Sequence, residues 1–146
     1  MASNTFSVGR DGTAIIQHPL SPNGGRLDLR HITGFRASPS YSQLASISLK
    51  GITRTRAVPK GWGGEFDVDR GDQSVDLFCT ALEEAYFNGL PFVYGTITVY
   101  IQEQDGSVSS FLFEDADLWV SDAGSYMADQ VVKQKISFAA PRRRLV

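Results

Sequence analysis

Cysteine, histidine and long apolar runs are scarce in this sequence, and each scarcity excludes a class of protein. The single cysteine, Cys79, can form neither an internal disulfide nor a cysteine-based metal site. No apolar run reaches the ~18 residues that a membrane-spanning helix requires. The opening stretch, MASNTFSVGRDG, contains no hydrophobic segment of the signal-peptide type. These features predict a protein that folds in a reducing cytoplasm and does not contact a membrane.

A basic excess is absent as well. The net charge is -2 and the pI is near 5.6, whereas a general nucleic-acid-binding protein concentrates positive charge on one face. Hydrophobic residues make up 42% of the chain and charged residues 21%, a composition that favours a packed core over disorder. The length of 146 residues, without an internal repeat, predicts one domain over residues 1–146.

The motifs of the common catalytic sites are also missing. The sequence has no phosphate-binding loop, no H-E-x-x-H and no G-x-S-x-G. Of the two histidines, His18 and His31, we expect one to be exposed and one partly buried. The stretch DVDRGDQSVDLF resembles a calcium loop, but Asp72 stands where the loop needs glycine and Phe78 where it needs glutamate. The sequence therefore predicts no enzyme, no metal site and no cofactor.

Short alternating runs between turn signals predict antiparallel strands with one buried and one polar face. The alternation is clearest in residues 66–69, 97–102 and 132–138. Its phase changes after Leu29 and again after Phe113, which predicts β-bulges and bent strands. The expected fold is mainly β: an antiparallel β-sandwich or barrel with one flanking α-helix and a long extended hairpin.

One segment, Gln73–Asn88, has the periodicity of an amphipathic helix. Asp72 or Ser74 can cap its start, and Gly89 can adopt the left-handed conformation that ends it. The apolar face of the helix is formed by residues three or four positions apart: Val75, Phe78, Cys79, Leu82, Ala85 and Tyr86.

The stretch ITRTRAVPKGWGGEFDVDRGD changes from basic to acidic along its length. We interpret PKGWGG as a turn that separates a basic strand from an acidic one. The segment Leu44–Val58 has few large apolar residues and is expected to bury little surface in its own domain. A basic arm of one copy can meet the acidic strand of the next, which would form a ring or filament. A solvated edge hairpin, kept from aggregating by its charges, is an equally good interpretation.

Five stretches, taken in order, suggest a family. They are ITGFRASPSYSQ (Ile32–Gln43), RTRAVPKGWGGEFDVDR (Arg54–Arg70), LFCTALEEAYFNG (Leu77–Gly89), QDGS (Gln104–Ser107) and VVKQKISFAAPRRRLV (Val131–Val146). In this order and spacing they resemble the tail tube proteins of long-tailed bacteriophages, most closely those of contractile-tailed phages. Related tube proteins occur in type VI secretion systems and in phage-like bacteriocins. The resemblance covers nearly the whole chain.

The resemblance implies a structural virion protein of the viral tail. Hexameric rings would stack into the inner tail tube, through which DNA is delivered to the host, and the hairpin, about Ser38–Lys60, would contact the adjacent ring. The implied partners are further copies of the chain, the tail sheath, the baseplate and the tail terminator. The tape measure protein and DNA would occupy the lumen without sequence-specific binding, and assembly would take place in the bacterial host cytoplasm.

Three groups of residues are candidates for these contacts. The candidates for contacts between rings or subunits are Arg54, Arg56, Lys60 and Trp62. The acidic residues that would face the lumen and repel DNA phosphates are drawn from Asp28, Asp67, Asp69, Asp115 and Asp117. The basic end of the chain, expected to follow the last strand and to contact a neighbouring subunit, is Arg142, Arg143 and Arg144. A solvated tail and a phosphate contact are the alternative interpretations of this segment.

Three alternatives stay open at this stage. The chain can be a tube subunit of a bacteriocin or secretion system. It can be a monomeric β-barrel binding module, with a ligand cavity lined by Phe92, Tyr94, Tyr100 and Trp119. An enzyme ranks last, because it would need an acid–base pair whose geometry the sequence does not supply. Its candidate residues are His31, Glu114, Asp115 and Asp117.

Overall fold

The computed structural model describes residues 12–21, 26–27 and 32–146. Within them lie eight strands and one helix, so the expectation of a mainly β fold is confirmed. The strands are β1 (Gly12–Gln17), β2 (Arg26–Leu27), β3 (Ile32–Ile47), β4 (Thr53–Asp69), β5 (Gly95–Gln102), β6 (Val108–Asp122), β7 (Lys133–Ala140) and β8 (Arg142–Leu145). The helix, α1 (Ser74–Phe87), lies between β4 and β5.

All strand pairs among the described residues are antiparallel, and they form one sheet. The order is β2-β1-β5-β6-β7-β4-β3, with β8 paired to β6. The first and last strands in this order do not pair with each other, so the sheet of the described residues is open rather than a closed barrel.

The long strand β6 joins the two parts of the sheet. Its first part pairs with β5 and β8, and its second part, from Asp117 onward, pairs with β7. Between them Asp115 adopts a φ of 52°, a left-handed conformation that aspartate tolerates better than most residues. This confirms the phase change predicted after Phe113. The other predicted change, after Leu29, falls largely on residues 28–31, which lie outside the described part of the chain.

The core lies between the two parts of the bent sheet and the helix. Phe113 from β6 and Phe138 from β7 meet with ring centroids 5.3 Å apart, and Phe66 from β4 lies 5.7 Å from Phe138. The fully buried aliphatic and aromatic side chains include Ile16, Phe66, Phe78, Ile97, Phe113, Ile136 and Phe138. Burial of these side chains is the main source of stability in such a fold.

The helix confirms the predicted segment and most of its signals. The N-cap is Gln73, without a side-chain cap hydrogen bond, and not the predicted Asp72 or Ser74; from the preceding position, the Oδ1 atom of Asp72 accepts a hydrogen bond from the Ser74 N–H at 2.9 Å. Gly89 adopts a φ of +68° just past the last turn. Val75 and Phe78 are buried. Tyr86, expected on the buried face, is instead 78% exposed. Leu82 packs against the core and Ala85 is partly buried, so the apolar face is covered along most of the helix and Tyr86 at its end is not.

The Gly-Trp-Gly-Gly segment was predicted as a turn, and this prediction is wrong. It lies inside β4, a single strand of 17 residues that pairs with β3 on one side and β7 on the other. The real turn is at residues 48–52, where the Ser48 N–H donates to the Ile52 carbonyl oxygen at 2.9 Å. Glycine is needed at position 64 because neighbouring backbone comes too close for a Cβ atom: one built there would lie 1.9 Å from the Arg36 carbonyl oxygen.

The predicted hairpin, Ser38–Lys60, consists of the outer parts of β3 and β4 and their turn. Strand β7 pairs with β4 only from Trp62 to Asp69, so the segment Thr53–Gly61 pairs with β3 alone. We call this part of the two strands and the turn, residues 40–61, the ribbon. At a rise of ~3.3 Å per residue it extends roughly 25 Å from the three-stranded part of the sheet.

His18 is buried, with 2% of its surface exposed, whereas His31 lies outside the described residues. The His18 Nδ1 atom accepts a hydrogen bond from the Leu20 N–H at 3.1 Å, and the ring meets Phe78 edge-on at 5.0 Å. Burial lowers the pKa of His18 below its ordinary 6.5, against opposing contributions from the Val93 backbone and Asp117. The fold thus favours a neutral ring.

The buried His18 predicts a loss of stability in mild acid. Its folded pKa is lowered, so its contribution is complete above the unfolded pKa of 6.5 and is lost as the pH falls through and below that value. We expect the denaturant midpoint to fall between about pH 8 and about pH 5. In a His18→Gln variant the decline should be shallower. Equal slopes in both proteins would contradict this assignment, and His31, which is present in both, serves as the internal control.

Candidate assembly surfaces

The ribbon presents apolar side chains to solvent. Ile47 is 71% exposed and Leu49, in the turn, is fully exposed. The other large apolar side chains exposed on the ribbon are Tyr41, Leu44 and Ile52. A two-stranded hairpin without a covered face gains little stability from its own packing. Apolar side chains concentrated on such an element indicate a surface that is covered by another molecule.

The basic residues of the ribbon are exposed too. Arg54 lies opposite Ser46 and Arg56 opposite Leu44 in the β3–β4 register. Within the described part of the chain neither arginine has a carboxylate partner, and the same holds for Lys60. Arg54 and Arg56, two positions apart on β4, share one face of the ribbon, whereas Lys60 lies at the base of the ribbon, at the register shift between Ser40 and Tyr41.

Trp62 does not lie with Arg54 and Arg56. It is partly buried in the three-stranded part of β4, where its ring meets Phe113 edge-on at 5.7 Å. The guanidinium of Arg143 lies 4.2 Å from the centre of the Trp62 ring and 4.1 Å from that of Phe111, in the range of cation–π contacts. Trp62 is thus held by contacts within its own chain, and it is not part of the exposed end of the ribbon.

The basic end of the chain forms a strand and not a tail beyond the last strand, which corrects the sequence prediction. Residues Arg142–Leu145 pair with Glu114–Phe111 of β6. Arg143 is held between two aromatic rings, and Arg144 forms an ion pair with Glu114. Pro141 separates β7 from β8, and the two strands pair with β6 on either side of its break.

The acidic candidates are divided among three places. Asp67 and Asp69 lie on the outer face of β4, and Asp117 lies on the same face of the sheet, two strands away. Asp115 is exposed at the break in β6. Asp28 lies outside the described residues. The structure thus brings three of the five candidates onto one solvent-facing surface.

The chain's own lysines partly neutralise this surface, which sequence reasoning missed. Lys133 pairs with Asp69 at 3.2 Å, and Lys135 lies 3.7 Å from Glu65 and 3.9 Å from Asp67. The alternation in KQKIS was the available signal, because it places both lysines on the outer face of β7. These ion pairs weaken the hypothesis that the basic arm of a second copy binds the acidic strand β4.

The aromatic residues proposed to line a ligand cavity do not enclose one. Phe92, Tyr94, Tyr100 and Trp119 are all among the exposed large side chains. Only Tyr94 borders an open groove of about 570 Å³, together with Trp62, Lys60, Asp115 and Asp117. A monomeric barrel with an internal site is not supported by this arrangement.

The described residues contain no group of three or more His, Cys, Asp or Glu side chains arranged to hold a metal ion. Burial, with a smaller contribution from Glu83, raises the pKa of the Cys79 thiol, and a protonated thiol is a poor nucleophile. The helix of the described residues, α1, is not long and apolar enough to span a membrane.

Comparison with known proteins finds similarity in structure and not in sequence. No protein-family model matches the chain, and no curated protein matches its sequence. A chain in the cryo-EM structure of the anti-feeding prophage cap, a tube-terminating cap, superposes with a TM-score of 0.62 at 11% identity, covering 100% of this chain and 94% of that one.

Two further structures show the same fold. A chain in the sheath/tube terminator of an extracellular contractile injection system, in the extended state, gives a TM-score of 0.61 at 12% identity, covering 100% of this chain and 99% of that one. A chain in the virion of a native gene transfer agent particle gives 0.52 at 12% identity, covering 97% and 99%. This chain has the fold of tail and injection-particle subunits. The fold that the sequence resemblance implied is therefore confirmed.

Proposed function

We propose that this chain is a structural subunit of a tail tube, which assembles with further copies into hexameric rings that stack around an open channel. The observation that carries the proposal is the ribbon. It extends from the body with exposed apolar and unpaired basic side chains that the described part of its own chain does not cover. The match in fold to tube and tail particles over the full chain supports the same role.

The proposal assigns this protein no catalytic role. Its main partner is itself; the sheath, the baseplate and a tail terminator complete the particle, in a virion tail assembled in the host cytoplasm. The tape measure protein and then DNA occupy the channel without sequence-specific contacts. The outer face that carries Asp67, Asp69 and Asp117 is the proposed channel wall. Its carboxylates repel phosphate and limit its binding, and the pairing of Lys133 with Asp69 and of Lys135 with Asp67 reduces this repulsion. A bacteriocin or secretion tube would use the same surfaces.

A terminating ring is the second candidate function. The cap and the sheath/tube terminator match all of this chain with TM-scores of 0.62 and 0.61. A chain of a sheath–tube complex matches 91% of it with a TM-score of 0.56. A terminator would form a single ring, whereas a tube subunit forms stacks of variable length.

The proposal predicts concentration-dependent assembly of the purified protein. We expect light scattering to show a transition from monomers to large particles, and negative-stain electron microscopy of the same samples to show rings or tubes. Single rings at every concentration would favour the terminator. A monodisperse monomer over the whole range would contradict both functions.

A further inference from the structure

Charge is segregated along this chain. Residues 37–64 contain Lys50, Arg54, Arg56 and Lys60 and no acidic residue, whereas residues 71–132 contain eleven acidic residues and no basic one. The first segment supplies the ribbon, and the second supplies α1, β5 and β6. Opposite charges separated within one chain can instead pair across an interface between copies.

The second segment contains an exposed apolar cluster at the end of α1. Phe87 is 80% exposed and lies against Tyr86 with ring centroids 5.2 Å apart. Phe92 and Tyr94 form a second exposed pair at 4.8 Å. With Leu90 between the pairs, these residues form what we call the helix-end patch: Tyr86, Phe87, Leu90, Phe92 and Tyr94. Aromatic residues are enriched in the centres of protein interfaces.

The electrostatics of the helix-end patch favour a cationic partner. The C-terminus of a helix carries a partial negative charge from its carbonyl groups, and the last turn of α1 contains no basic residue. Glu83 and Glu84 are exposed beside the patch. Aromatic faces add a favourable contact for a guanidinium or ammonium group. The matching partner is therefore apolar, basic and without carboxylates.

The tip of the ribbon, residues Ile47–Arg54, has this chemistry. Ile47, Leu49 and Ile52 are exposed. Lys50 lies in the turn between them, and Arg54 follows on the face of the ribbon opposite to Ile47. Its turn is fixed by hydrogen bonds between Ser48 and Ile52, so little conformational freedom is lost on binding. We infer that the ribbon tip of one copy packs on the helix-end patch of a neighbouring copy. This inference rests on the proposed function.

The contact is heterologous, because the tip and the patch are different surfaces of one subunit. Such contacts propagate from copy to copy and generate rings or stacks.

A weaker receiving surface is the loop between β6 and β7, where Tyr126, Met127 and Val131 are exposed near Asp122 and Asp129. It has three large apolar side chains, fewer than the patch, and no helix terminus. It provides the control for the experiment.

Site-directed crosslinking tests the inference. The cysteines replace exposed residues that are neither charged nor large and apolar, so the charges and large apolar side chains of both surfaces are unchanged. In a Cys79→Ala background, Thr53→Cys at the tip is combined with Asn88→Cys beside the patch. The control combines Thr53→Cys with Ala128→Cys in the β6–β7 loop. Both proteins are assembled and treated with a short bismaleimide, and covalent multimers are separated on a denaturing gel.

We expect the Thr53→Cys/Asn88→Cys protein to form a ladder of covalent multimers and the control to remain mostly monomeric. Particles that crosslink only through Ala128→Cys, or through neither pair, would overturn the inference while leaving the tube function intact. Failure of the Cys79→Ala parent to assemble when the unmodified chain does would move the test to the Cys79→Ser background. Failure of the unmodified chain to assemble would overturn the inference and the proposed function together.

Discussion

An Arg54→Glu/Arg56→Glu variant is expected to stay folded and to lose assembly. Both side chains are exposed and lack carboxylate partners in the described chain, so their effect on the free energy of unfolding should be within about 0.5 kcal/mol. In the inferred contact the reversal places a like charge at position 54 of the ribbon tip, and a second at position 56 next to the tip, near Glu83 and Glu84; such juxtaposition costs several kcal/mol, on the order of 3. Each 1.4 kcal/mol is about tenfold in an association constant.

Light scattering and denaturant unfolding measure the two expected results separately. The matched control is Arg54→Lys/Arg56→Lys, which keeps the charge and should assemble. Adding Glu83→Lys/Glu84→Lys to the reversed variant restores complementarity and should recover assembly. Normal particles from the glutamate variant would show that the ribbon is not the contact between copies.

A Gly64→Ala variant is expected to lose roughly 3 kcal/mol of unfolding free energy, the upper end of the usual range for overpacking. The added Cβ would lie 1.9 Å from the Arg36 carbonyl oxygen and 2.9 Å from the Phe138 ring. The backbone of β3 and a core ring would both have to move, because β4 is held between β3 and β7. The measurement is the urea midpoint with its m-value.

Gly63→Ala is the matched control. Among the described residues, a Cβ at this neighbouring position meets only the Phe138 carbonyl oxygen within 4 Å, at 3.7 Å, an ordinary van der Waals separation. Its midpoint should lie close to that of the parent. Similar midpoints for the two alanine variants would mean that close approach of β3 and β4 does not explain the glycine at position 64.

The elements that the sequence predicted well are those whose signals are local. The helix is set by its own periodicity, Asp72 and Gly89, and the break in β6 by a phase change that only a bend can accommodate. The Gly-Trp-Gly-Gly segment was wrongly predicted as a turn because glycine occurs both in turns and where neighbouring backbones approach closely. Here it permits the approach of neighbouring strands, and that requirement depends on residues far along the chain, such as Arg36 and Phe138.

The exposure of the candidate residues was predicted in part for the same reason. Arg54 and Arg56 are exposed, as expected for a weakly apolar segment, and their role in assembly stays a prediction. Trp62 was grouped with them by proximity in sequence, although its ring is held by Phe113 and Arg143 from other strands. The helix-end patch was missed because Tyr86 continues the helix's apolar periodicity, so it was assigned to the core. Only the tertiary structure shows that nothing in the described chain covers it.

The most direct test of the account is the symmetry of the assembled particle in end-on views. Class averages from negative-stain electron microscopy, made without imposed symmetry, measure it. The account predicts rings with six-fold symmetry and an open centre, and side views of stacked rings. Particles without a channel, or a protein that remains monomeric at every concentration, would contradict it.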